Sequence, residues 1–180
     1  MNEHLLQVRG LTVRFEQPRE RLLGARPMLT AVDAVDLDVA AGQSVGIVGE
    51  SGSGKSTLAR AILGLVAAEA GSVAWRGEPV RRENAASLRR MRREMQVVFQ
   101  DPVGSLDPRM TVRESVAEAL EALAGPLPGS TSASRVAEAL EEVGLDPVLG
   151  ARYPHELSGG QCQRAAIARA IVARPRLLVC

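Results

Sequence analysis

Apolar and polar residues alternate along LQVRGLTVRF (residues 6–15), the period of a strand with one buried face. AVDLDVAAGQSVGIVG (34–49) predicts two more β runs, separated by a turn at Gly42. Between these segments EQPRERLLGARP mixes Pro, Gly and Arg without periodicity, so an exposed loop is expected there. After Gly54 the period lengthens: Leu58, Ile62 and Leu65 share one face of a predicted helix, and GSVAWRGEPV returns to a short strand and turn. SLRRMRREM predicts a helix with Leu88, Met91 and Met95 on one face and Arg89, Arg90, Arg92 and Arg93 around the rest. MQVVFQ reads as a strand ending at Gln100, and Pro102, Gly104 and Pro108 mark a loop over 101–110. Two helices follow, one with Val112, Val116, Leu120 and Leu123 in a stripe, the other with Val136, Leu140 and Val143 before Gly144 ends it. GPLPGSTS between them is the most linker-like stretch, too short to separate domains. RLLV near the end reads as the opening of another strand.

A chain of 180 residues has the size of one domain, and 46% apolar residues supply a core. With 22 basic and 21 acidic side chains there is no field to attract nucleic acid or an acidic lipid surface. Cys162 and Cys180 lie far from any metal-ligand or C-x-x-C spacing, which fits a reducing compartment, and His4 and His155 have no ligand-spaced partners. MNEHLLQVRGLTVRF carries no signal-peptide pattern and no apolar run approaches the ~20 residues that span a bilayer, so a cytoplasmic location is expected. The arginines of 87–95 lack interleaved aromatics and read as a solvated face. Trp75 and Tyr153 read as structural residues.

The strongest chemical signal is SVGIVGESGSGKSTLARAIL. Here a β run leads into Gly49, Glu50, Ser51, Gly52, Ser53, Gly54, Lys55, Ser56 and Thr57, then into a helix. This is G-x-x-x-x-G-K-[ST] in a strand, loop, helix setting. The glycines let main-chain N–H groups curl around a phosphate with the positive end of a helix beneath it. Lys55 supplies a mobile charge for the β- and γ-phosphates, and Ser56 a hydroxyl suited to Mg²⁺. A glycine-rich turn that binds nothing is the weaker reading, because the whole motif stands between its expected neighbours. The motif does not choose among kinases, GTPases, helicases and transport ATPases.

A second anion-binding cap lies at Ser158, Gly159, Gly160 and Gln161, ahead of a helix with Ile167, Ala168, Ile171 and Val172 on one side. One phosphate site does not need two such caps, so the second is expected to serve a nucleotide held by another subunit. LSGGQ, GESGSGKST and the intervening VVFQDPVGSLDPRMTV together resemble the ATP-binding subunits of ABC transporters, most closely the dipeptide, oligopeptide and nickel importer branch; YPHELSGGQ adds to the likeness, which runs from about Leu5 to Cys180.

The resemblance implies an α/β fold: a P-loop NTPase (RecA-like) core with an antiparallel β subdomain and an inserted helical subdomain. Core and β subdomain would occupy 1–100 and 157–180, the helical subdomain 101–156, with the C-terminal part of the core missing. It implies that Gln100 contacts Mg²⁺ and the attacking water and reports site occupancy to the membrane subunits. An amide suits this role because it accepts from water and coordinates a cation. Phe15 matches the position whose ring stacks on adenine; without the family it reads as core at a strand end. Cys162 stands where the family often has a basic residue and is expected to be a tolerated surface variation. The cofactors implied are ATP and Mg²⁺. The partners implied are a second ABC ATPase subunit in a homo- or heterodimer, two integral membrane permease subunits and, indirectly, an extracytoplasmic solute-binding protein, with no nucleic acid. The place implied is the inner face of the cell membrane.

In the resembled family the strand RLLV continues into Asp and then Glu, which hold Mg²⁺ through water and orient the hydrolytic water. That pair, and the later histidine that holds the γ-phosphate, are not among these residues. The expectation is a truncated chain that binds ATP, lacks the residues for hydrolysis and exposes apolar surface, cut from a parent ATPase that powers uptake of peptides or related small solutes such as nickel. The rivals are a soluble ABC-type ATPase acting on DNA or ribosomes, against which the Gln100–Val112 stretch argues, and a non-catalytic nucleotide-binding module.

Overall fold

The computed structural model describes residues 4–17 and 27–180. The loop expected over 16–27 falls for the most part outside the described residues. The chain divides into two compact units, 1–91 and 92–180.

The first unit is built on a four-stranded antiparallel sheet. Strands β1 (His4–Glu16) and β2 (Met28–Ala40) pair along their length; β3 (Ala70–Trp75) pairs with the other edge of β1, and β4 (Glu78–Pro79) with β3. Leu6, Val8, Leu11 and Val13 are all buried, as is Trp75 opposite Leu6; the predicted alternation changes phase between Val8 and Leu11, where the register of the ladder shifts. The β3–β4 hairpin closes through Arg76 and Gly77 with φ of 52° and 78°, the positive pair that a two-residue turn needs to match strand twist. Helix α1 (Lys55–Ile62) buries Leu58, Ala61 and Ile62; Leu65 lies beyond its end and is exposed, so the predicted helix is shorter than its apolar period. Helix α2 (Ala85–Glu94) starts in this unit under an Asn84 cap, whose Oδ1 accepts from the N–H groups of Ala86 and Ser87 at 3.1 Å. Met91 is buried, and all four of its arginines are exposed.

One prediction fails here. The run Ser44–Val48 is not a strand: it has no ladder partner among the described residues, and Val45, Ile47 and Val48 are 41, 46 and 95% exposed. A strand needs a neighbour to take up its N–H and C=O groups, and local pattern cannot supply one.

The second unit joins a helical core to a small parallel sheet, β5 (Met95–Val97) with β6 (Leu177–Val179). β5 therefore stops short of Gln100, although the Val98 N–H still reaches the Val179 carbonyl at 2.8 Å. Helices α3 (Val112–Ala124), α4 (Gly129–Glu142) and α5 (Gly159–Ile171) pack around Val112, Val116, Leu120, Val136, Leu140 and Leu145. α4 starts at Gly129, so the second half of the expected linker GPLPGSTS forms its first turn. Two 3₁₀ turns, Pro147–Ala151 and Pro154–Glu156, lead to α5. Cys162 is not a surface residue: it is 1% exposed in this core, its thiol facing the Pro154 carbonyl at 3.4 Å.

Candidate nucleotide-binding site

The loop Gly49–Gly54 curls because its own polar groups close it. The Ser53 N–H donates to the Glu50 carbonyl at 3.2 Å, and Gly52 and Gly54 have φ of 85° and 91°. Gly54 is the N-cap of α1 and faces β2 so closely that a Cβ there would lie 2.1 Å from the Ala31 carbonyl oxygen. Only glycine satisfies both the left-handed backbone and that approach. Ala31 is thus part of the loop's support, a role no local sequence pattern signals.

The Lys55 ammonium is the hub of the loop. It donates to the carbonyls of Gly49 at 2.8 Å and Glu50 at 2.6 Å, and to the Ser53 hydroxyl at 3.3 Å. All three of its protons are directed into the loop, so a phosphate entering from solvent meets a cation already aimed at the curl. No acidic side chain stands in the first turn of α1, which leaves the positive end of the helix unopposed. The exposed Ser51 and Ser53 flank the loop, and the exposed Ser56 with the half-buried Thr57 places hydroxyls on the first turn of α1. These are hard oxygen donors of the kind Mg²⁺ takes. Phe15, near the end of β1 opposite Leu29, is 40% exposed, so the strand-end core reading does not describe it.

In the second unit Ser158 caps α5 reciprocally. Its hydroxyl accepts from the Gln161 N–H at 3.3 Å, and the Gln161 side-chain oxygen accepts from the Ser158 N–H at 2.8 Å. The serine hydroxyl retains a proton and a second lone pair, so it can donate to an anion without leaving its capping role. Gly159 and Gly160 are exposed and helical, with open space where a Cβ would be. The turn before the cap is itself held. Glu156 accepts from the Tyr153 N–H at 2.7 Å and from Arg152 at 3.1 Å, and these bonds keep its carboxyl below the usual carboxylate range. Tyr153, 39% exposed, stacks on His155 with ring centroids 5.6 Å apart. α5 sets Cys162, Ala165 and Ala168 into the helical core, with Val172 just past its end, which fixes the direction in which Ser158 points.

Gln100 is exposed at the start of a loop ordered by its own contacts. Asp101 Oδ1 accepts from the Gly104 N–H at 3.0 Å, the Ser105 hydroxyl donates to the Pro102 carbonyl at 2.8 Å, and Leu106 is buried in the helical core. The structure thus gathers Gly49, Glu50, Ser53 and Lys55 into one curl in the first unit, and pairs Ser158 with Gln161 in the second. Among the described residues no group of His, Cys, Asp and Glu could hold a metal ion, and no helix is long and apolar enough to cross a membrane.

Residues 32–180 match the family model described as ABC transporter. The oligopeptide transport ATP-binding protein OppF of Haemophilus influenzae is 44% identical over 99% of this chain and 54% of its own length. The glutathione import ATP-binding protein GsiA of Escherichia coli is 44% identical over 98% of this chain and 28% of its own. The chain spans about half the length of the OppF relatives it matches, and less of the GsiA ones. Among solved structures, the ATP-binding cassette MJ0796, in a dimeric post-hydrolysis state bound to ADP and Pi, superposes with a TM-score of 0.83 at 29% identity, covering 96% of this chain and 72% of the other. The cbiO1 component of a Clostridium perfringens ABC transporter complex gives 0.75 at 27%, covering 98% and 64%. With its α/β cassette fold, its glycine-rich loop on Lys55 and its capped helix at Ser158, the chain belongs to the ABC transporter family.

Proposed function

We propose that this chain is the nucleotide-binding part of an ATP-hydrolysing subunit that powers uptake of peptides or related small solutes, such as nickel. The observation that carries the reading is the Lys55 ammonium held at the centre of the Gly49–Gly54 curl, at the N-terminus of α1. A triphosphate entering the curl exchanges the loop carbonyls for phosphate oxygens as partners of Lys55, a trade of neutral for charge-assisted hydrogen bonds. Glu50, Ser51 and Gly52 offer main-chain N–H groups to the same anion, and Phe15 offers an exposed ring for the adenine. Ser56 and Gln100 would hold Mg²⁺, which when bound neutralises the phosphate charge. Gln100 also presents its amide to the attacking water. The Ser158–Gln161 cap serves the nucleotide of a second ATPase subunit, identical or homologous, and two permease subunits carry the solute at the inner face of the membrane, with a solute-binding protein outside. Hydrolysis is assigned to the full-length protein, since this chain spans about half the length of the OppF relatives it matches.

Titration of the purified chain with a fluorescent adenine nucleotide tests this reading. Binding that depends on magnesium, and is weakened at least about tenfold by Lys55→Ala, a loss of about 1.4 kcal/mol, is the expected result. Equal affinity in the two proteins, or none in either, overturns it.

A further inference from the structure

α5 carries Ser158 at its N-terminus and Arg169 further along, and the surroundings of that arginine do not suit a residue kept for stability. Its Nη1 donates to the main-chain carbonyl of Ser105 at 3.0 Å, in the loop that begins at Gln100. Its Nη2 lies 3.7 Å from the Glu118 carboxylate on α3. Its Nε is buried and has no hydrogen-bond partner among the described residues. The side chain lines a cavity of about 260 Å³ with Phe99, Ser105, Leu123, Ala166 and Ala170. The ion pair is solvated, with the Arg169 side chain 36% and that of Glu118 58% exposed, so it contributes little to stability, and an apolar side chain of similar length would remove the orphaned donor.

What arginine does here, and an apolar residue cannot, is hold a carbonyl. The segment 101–105 is tied internally by the Asp101 and Ser105 bonds. It is fastened to the helices through Leu106 and through the Arg169 bond. We propose that Arg169 is a positioning residue: by gripping Ser105 from α5 and leaning on Glu118 of α3, it sets the Gln100 loop in register with the helix that presents Ser158. The functional part of this inference rests on the roles given above to Gln100 and Ser158. The mechanical part stands without them.

Hydrogen exchange on the 180-residue chain, wild type against Arg169→Met and Arg169→Lys, tests the mechanical part. The Gly104 and Leu106 amides exchange at least about tenfold faster in Arg169→Met. Amides within α3 and α5 and the unfolding midpoint stay as in wild type, and Arg169→Lys, which keeps a donor, recovers most of the protection. Unchanged exchange at Gly104 and Leu106, or protection lost across α3 and α5 together, overturns the proposal.

Nucleotide titration with and without magnesium tests the functional part. Arg169→Met removes the same magnesium-dependent share of affinity as Gln100→Ala, and the double variant loses no more than either. Additive losses, or no loss from Arg169→Met, overturn it. Absence of nucleotide binding by the wild type overturns the functional reading instead, and the exchange result then decides whether Arg169 positions the loop.

Discussion

Glu114 shows how much one side chain can set at a helix end. Its carboxylate accepts from the Thr111 N–H at 2.7 Å and from the Thr111 hydroxyl at 2.8 Å, while the Glu114 N–H returns a bond to that hydroxyl at 3.3 Å. The backbone bond is the leading cause that holds its carboxyl below the ordinary glutamate value. A depressed carboxylate stabilises the fold fully above the unfolded-state value, about 4.3, and the contribution is lost as pH falls through the lower folded value. The unfolding midpoint should therefore fall on acidification below about pH 4.3, and Glu114→Gln, which keeps an acceptor but cannot titrate, should flatten that fall. A steeper acid limb in the variant would contradict the assignment. The next residue, Ser115, is 2% exposed and its hydroxyl has no hydrogen-bond partner among the described residues. Ser115→Ala should stabilise the chain by about 1 kcal/mol, seen as a higher urea midpoint at unchanged slope. The Ser158 cap is legible in the sequence because capping is local, a matter of residues three apart. The Ala31 carbonyl beneath Gly54 and the Ser105 carbonyl at Arg169 are not, because they join segments brought together only by the fold.

Among the elements, the strong periods were realised and the weak signals were overridden. Val112, Val116 and Leu120 of α3 and Val136 and Leu140 of α4 are buried as read, while Leu123 and Val143 at the ends of the two stripes are half-buried, since apolar positions at helical spacing leave water best where the helices face one another. The first turn of α4, Gly129–Ser132, carries poor helix formers, yet it is helical. Ser132 is buried beside the Val136, Ala139 and Leu140 face, so packing outweighs propensity there. At the other end of α4 the Gly144 N–H reaches the Glu141 carbonyl and the Leu145 N–H reaches that of Leu140, each at 2.9 Å, with Gly144 at φ 69°. This is a Schellman stop. Gly144→Ala should cost about 1 kcal/mol by thermal unfolding, through the strained φ alone, because a Cβ there meets nothing within 4 Å. A larger loss would mean that the added methyl group clashes.

At the scale of the whole molecule, the first unit realises its four-stranded sheet from alternation and turn residues, whereas Ser44–Val48 shows what such reading cannot reach. Its pattern is that of a strand, but a strand is a relation between segments, and no described segment takes up its backbone. The chain spans about half of the OppF relatives it matches, so the partner for such a run need not lie within these residues. Val48, 95% exposed beside the Gly49–Gly54 loop, makes the point measurable. If the run stands in water as described, Val48→Lys removes no packing, and stability should change by less than about 0.5 kcal/mol. The same charge should reduce self-association through the exposed Val45 and Ile47, read as lower light scattering at equal concentration. A loss above about 1 kcal/mol would show that Val48 is covered in solution, by a second copy or by a ladder, and that the strand read from the alternation is real.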